Sequence, residues 1–108
     1  MDFTGTWRVV SSPDFDDAYM RMKVEPYIAL EQAGKSVSGE YHVGLQSGGL
    51  DGKVLKDGTV SFSFEGNDEM DDVNGRGTIL LDGERLTFTL DYHFGDTYTF
   101  ACVRVAQE

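Results

Sequence analysis

The sequence predicts an all-β protein: an eight-stranded antiparallel up-and-down barrel with one short helix between strands 1 and 2. Three observations predict it. Apolar and polar residues alternate with a period of two in several segments, and short turns bearing Gly or Asp separate those segments. One stretch, residues 12–22, replaces the alternation with a helical spacing. Period two with one wet face marks an antiparallel sheet covered on one side, and short connections favour pairing of neighbours in order.

The elements follow along the chain. FTGTWRVVS forms the first strand. Ser12 can serve as N-cap and Pro13 as the first helical residue, with Asp14, Asp16 and Asp17 at the positive end. Phe15, Ala18, Tyr19 and Met22 fall at i, i+3, i+4 and i+7 and form one apolar stripe, and Pro26 prevents continuation. PYIALEQ turns at Ala33-Gly34-Lys35, SVSGEYHV runs into GLQSGG, and GLDGKVL turns at Lys56-Asp57-Gly58. TVSFSFE leads to the acidic loop GNDEMDD, VNGRGTILL to Asp82-Gly83-Glu84, RLTFTLDYHF to Gly95-Asp96, and TYTFACVRV closes the series. Each connection carries the Gly or Asp that tight turns need.

Eight meandering strands expose two edges unless the first and last pair, so closure into a barrel is the economical arrangement. Gly39, Gly52, Gly75 and Gly77 lie on or beside the inward face, where strongly coiled strands bend. A sandwich of two four-stranded sheets is the alternative that periodicity leaves open.

The 108 residues are expected to form one domain, 1–108, and 40% hydrophobic content with 12% aromatics can build its core. Nineteen acids against nine basic residues give a formal charge of −10. No basic cluster exists for phosphates, which argues against nucleic acid and anionic membrane surfaces. No apolar run is long enough for membrane insertion, and Met1 opens no basic-then-apolar signal segment. With Cys102 as the single cysteine, a reducing cytoplasm is the expected location.

FTGTWRVVSS followed by DFDDAYM resembles the N-terminus of the intracellular fatty-acid-binding proteins. Gly5-Thr6-Trp7 matches the G-x-W signature of the wider calycin superfamily, which includes the lipocalins. The resemblance implies that Arg104, on the last strand, packs over Trp7, an arrangement stabilised as a cation–π contact. The fatty-acid-binding proteins have ten strands and a two-helix lid, whereas eight strands and one helix fit here. Their carboxylate-binding Arg-x-Tyr is also replaced, because Val105-Ala106 follows Arg104. The pattern is nearer a compact lipocalin-like barrel.

An eight-stranded barrel is just wide enough to be filled by side chains or to hold one small ligand. With Trp7 inward, Val9, Ser11, Val37, Tyr41, Leu50, Val54, Phe62, Phe64, Ile79, Phe88, Leu90, Tyr92, Tyr98 and Phe100 join it, with Tyr27 or Ile28. Tyr19, Met22, Tyr41, Phe62, Phe88, Tyr92 and Tyr98 are the candidate ligand-binding residues, Gln46 a rim group, and the helix a lid. Tyrosine hydroxyls would orient a small hydrophobic or amphipathic ligand. The alternative is a filled barrel serving as an interaction or structural module, including a homodimer through an exposed strand or the helix. His42 and His93 are expected to face outward, and the 67–72 loop lacks the spacing of a calcium loop. No metal ligand set, cofactor motif or nucleophile with a neighbouring base is read, so a non-catalytic role is expected.

Overall fold

The computed structural model describes residues 2–105, so both ends of the predicted 1–108 domain lie outside the described residues. The strands are β1 (Gly5–Ser11), β2 (Tyr27–Ala33), β3 (Ser36–Val43), β4 (Gln46–Val54), β5 (Val60–Asp68), β6 (Asp71–Asp82), β7 (Arg85–Tyr92) and β8 (Thr97–Arg104). A single helical turn, α1 (Asp17–Met20), lies between β1 and β2. Each strand pairs antiparallel with the next, and β8 pairs with β1, so the sheet closes into a barrel. The sandwich alternative is thereby excluded.

Alternation predicts the inward face well. Trp7, Val9, Val37, Tyr41, Leu50, Phe62, Phe64, Ile79, Phe88, Leu90 and Phe100 are all buried, and Ile28 rather than Tyr27 points in. Tyr27 lies outside beside His42, their rings 6.4 Å apart. Gly39, Gly52, Gly75 and Gly77 sit on the coiled inward rows, where a Cβ would strike the backbone of a neighbouring strand. Ser11 is the exception: the register slips between Val9 and Ser11, and the bulge turns Ser11 out to solvent.

Two predicted loops are strands. Gly44 adopts φ +60°, which lets β3 reverse through Gly44-Leu45 so that Gln46, Ser47 and Gly48 join β4. The acidic segment likewise continues β5 and β6 up to a Glu69-Met70 turn, with Asn67 opposite Asp72 and Asp68 opposite Asp71. Among the described residues, no three metal-ligating side chains converge.

The predicted helix over 12–22 shrinks to one turn. Ser12 Oγ donates to the Thr99 carbonyl (2.6 Å), and the Asp14 carboxylate accepts the Thr99 N–H (2.8 Å). Residues 12–14 are thus tethered to β8, and the cap is Asp16, whose carboxylate accepts the Tyr19 N–H. A single turn cannot carry a three-turn stripe. Phe15 and Tyr19 face the barrel, Met20 is buried, Ala18 is exposed, and Met22, beyond the helix, is 56% exposed.

Closure is sealed where β1 meets β8. Trp7 stands opposite Arg104, whose guanidinium carbon lies 4.2 Å from the centre of the Trp7 ring. Arg104 donates to the carbonyls of Thr4 (2.8 Å) and Asp2 (3.0 Å), and the Trp7 indole N–H donates to the Phe3 carbonyl (3.0 Å). Phe3 and Trp7 are fully buried, so the N-terminal segment plugs the barrel end remote from α1. Arg104→Ala is expected to lower stability by about 2–3 kcal/mol in urea unfolding, from the lost cation–π contact and the orphaned carbonyls. Arg104→Lys should recover only part of this, because an ammonium lacks the planar fork.

Candidate functional site at the helix-capped end

β1, β3, β5 and β7 finish at the same end of the barrel, beneath α1. Inward positions near strand ends lie next to solvent, so polar groups can be accommodated there. Four polar side chains meet. Gln46, 1% exposed, shares the inward parity of Gly48 and Leu50 on β4. The Tyr92 hydroxyl of β7 donates to Gln46 Oε1. Gln46 Nε2 donates to the Tyr19 hydroxyl, which also accepts the Leu45 N–H, both at 3.4 Å. The fourth, Tyr41, is 1% exposed, and its hydroxyl has no hydrogen-bond partner among the described residues. A buried polar group without a partner costs about 1–3 kcal/mol of desolvation.

The close approach of this hydroxyl to β4 depends on a glycine. Gly48 lies opposite Tyr41, and a Cβ there would come within 2.9 Å of the Tyr41 oxygen. The lid is seated by another. Gly44 N–H donates to the Met20 carbonyl (3.0 Å), and the Tyr19 ring covers Gly44 so closely that a Cβ would lie 2.5 Å from it.

Aromatic rings continue from the lid into the lumen. Phe15 packs on Tyr19 (5.0 Å), Tyr98 (4.8 Å) and Phe100 (5.8 Å). Further in, Phe88 meets Phe100 (6.4 Å), Tyr41 (5.9 Å) and Phe62 (5.3 Å). The lumen is therefore filled by touching rings, in the manner of a packed core. A groove of about 1130 Å³ lies instead on the outer surface across β1 to β6, with Glu31, Glu40, Asp51 and Glu65 along it and Gly49 and Ser38 among its lining.

The electrostatics follow from burial. Desolvation first, and then the Asp68 charge, push the Tyr41 phenol up to about 12. Tyr92 is also raised, by burial first and then by Tyr41 and Asp68. Asp68, on the inward parity of β5, is itself raised by burial and by Glu69 and Asp71. Burial pushes the Cys102 thiol up to about 12, which keeps it protonated and unreactive.

The structure thus brings Tyr19, Tyr41, Tyr92 and Tyr98 together at one end, with Phe62 and Phe88 deeper in the same lumen. Met22 stands apart in solvent. Gln46, expected at the rim, is the centre of the polar cluster. Reading the strand parity back from Leu50 would have placed it inside.

Two outcomes are expected. Gly44→Ala should destabilise by about 2 kcal/mol or more in urea unfolding, through positive φ and the clash with Tyr19. The buried phenols hold their protons more tightly folded than unfolded. The stability they contribute is present below about pH 10 and is lost as pH rises toward 12. Unfolding midpoints measured across that window should fall, and fall less for Tyr41→Phe.

No protein-family model matches the sequence, and no curated protein sequence does. Among solved structures, the chain is similar to apo lipid binding protein 8 of Caenorhabditis elegans, with a TM-score of 0.53 and 14% identity over 95% of both chains. It is also similar to a fatty acid transporter, REP1-NXSQ, with a TM-score of 0.55 and 16% identity over 97% of both chains. These likenesses bear on the fold alone, a closed antiparallel β-barrel of the kind seen in both structures.

Proposed function

We propose that the barrel binds a small hydrophobic or amphipathic ligand, without catalysis, at its helix-capped end. The observation that carries this reading is the unpartnered Tyr41 hydroxyl, buried beside the Gln46–Tyr92 pair and under a lid only one turn long. Ring faces would hold the apolar part of the ligand, and the hydroxyls would orient its polar end. The names of the two similar structures, a lipid binding protein and a fatty acid transporter, point the same way. Because rings fill the lumen, entry requires Phe15 and Tyr19 to lift and the deeper rings to turn. Phe15 is only half-buried and α1 is short, so this is the segment with the least to lose on moving. No described helix is long and apolar enough to cross a membrane, and the single free cysteine fits a cytoplasmic protein.

The filled lumen also favours a second reading, a barrel acting through its outer surface as an interaction or structural module. Every strand is paired on both sides, so a homodimer would have to use the outer groove or α1 rather than a free strand edge. Native mass spectrometry separates the two. The protein, gently purified and incubated with a cell lipid extract, is expected to carry one lipid-sized adduct that Tyr92→Trp weakens. A bare mass under all conditions would overturn ligand binding and leave the surface reading.

A further inference from the structure

We propose that the polar head of the ligand is an uncharged hydroxyl, as in a fatty alcohol or a glycerol ester, and not a carboxylate or phosphate. This rests on the barrel-binding reading and specifies the chemistry of that same site.

The argument is an inventory of what faces the site. Tyr92 donates to Gln46 Oε1, Gln46 donates to Tyr19, and Leu45 N–H donates to Tyr19. Those groups are already engaged with one another. The Tyr41 hydroxyl alone keeps both its donor and its acceptor capacity, packed close against Gly48. A ligand hydroxyl can accept from it and donate to it; a carboxylate can only accept.

Charge decides the rest. Asp68 lies on the inward parity of β5, near enough to act on both Tyr41 and Tyr92. Glu69 and Asp71 flank it, and Asp14 and Asp96 act on Tyr98 at the same mouth. No basic side chain is among the groups that act on Tyr41, Tyr92, Tyr98 or Asp68, and two arginines are engaged elsewhere. Arg21, beside α1, is held by Asp17 (3.0 Å) and Glu25 (2.8 Å). Arg104 lies at the opposite end over Trp7. An anionic head would lose its hydration in a field of its own sign, set by the carboxylates that act on the cluster, whereas a hydroxyl loses only a hydrogen bond that Tyr41 replaces.

The test is a titration of the isotope-labelled full chain with 1-decanol and with decanoate at neutral pH, followed by amide chemical shifts. Decanol is expected to shift Leu45, Gln46 and Tyr92 saturably and to bind at least tenfold more tightly than decanoate. Tyr41→Phe should fold at least as stably as the parent, because it removes an unpartnered hydroxyl. It should weaken decanol by roughly three- to tenfold, the range of one hydrogen bond, and leave decanoate unchanged. Decanoate binding as tightly as decanol would overturn the head-group assignment while sustaining the barrel-binding reading. Decanol binding unaffected by Tyr41→Phe would remove Tyr41 from the assignment. Binding of neither compound would overturn both readings together.

Discussion

Closure of the sheet between β1 and β8 is the constraint on which the rest of the structure depends. An open eight-strand meander would expose two edges and leave its inward aromatics half-wet. Closure puts Trp7 opposite Arg104, and the guanidinium then caps the indole while tying the last strand to Thr4 and Asp2. A cation over a fully buried ring is a short-range contact that tolerates little change in register. The same contact therefore aligns the two ends of the chain as well as stabilising their junction.

Once the barrel is closed with eight strands, its interior is small and the order of side chains along it becomes a matter of depth. Phe3, Trp7 and Arg104 occupy one end. Phe62, Phe88 and Phe100 fill the middle, and the polar tips of Tyr19, Tyr92 and Gln46 meet at the other end, where solvent is near. This gradient follows from the cost of burying polar groups deeply. Tyr41 departs from it, since its hydroxyl is buried and unmatched, and that departure is what makes the helix-capped end the candidate site.

The strands were legible because their signal is local. Val60, Phe62 and Phe64, or Leu86, Phe88 and Leu90, announce an inward face without any knowledge of their partners. The helix was misjudged in length because its limits are not local. Ser12 and Asp14 are good helix-starting residues in isolation, yet both are bonded to Thr99, more than eighty positions away. Polar composition likewise suggested loops at 44–49 and 66–72, where the ladders in fact continue to tight turns. For that reason Gln46 reads as a rim group and not as the buried centre of the polar cluster.

By itself, the sequence determined the all-β class, the number and order of the strands and the inward aromatic set, and its signature implied the Trp7–Arg104 pair by resemblance. Those properties rest on period-two patterning, turn residues and one signature, all carried by short stretches of chain. Closure against the sandwich was left to the tertiary structure. Only the tertiary structure decided that the lumen is filled, that Gln46 links Tyr19 to Tyr92, and that Tyr41 is buried without a partner. Each depends on how far strands from distant parts of the chain extend and how closely they approach. Depth and satisfaction of a polar group are properties of the closed barrel, and no residue carries them alone.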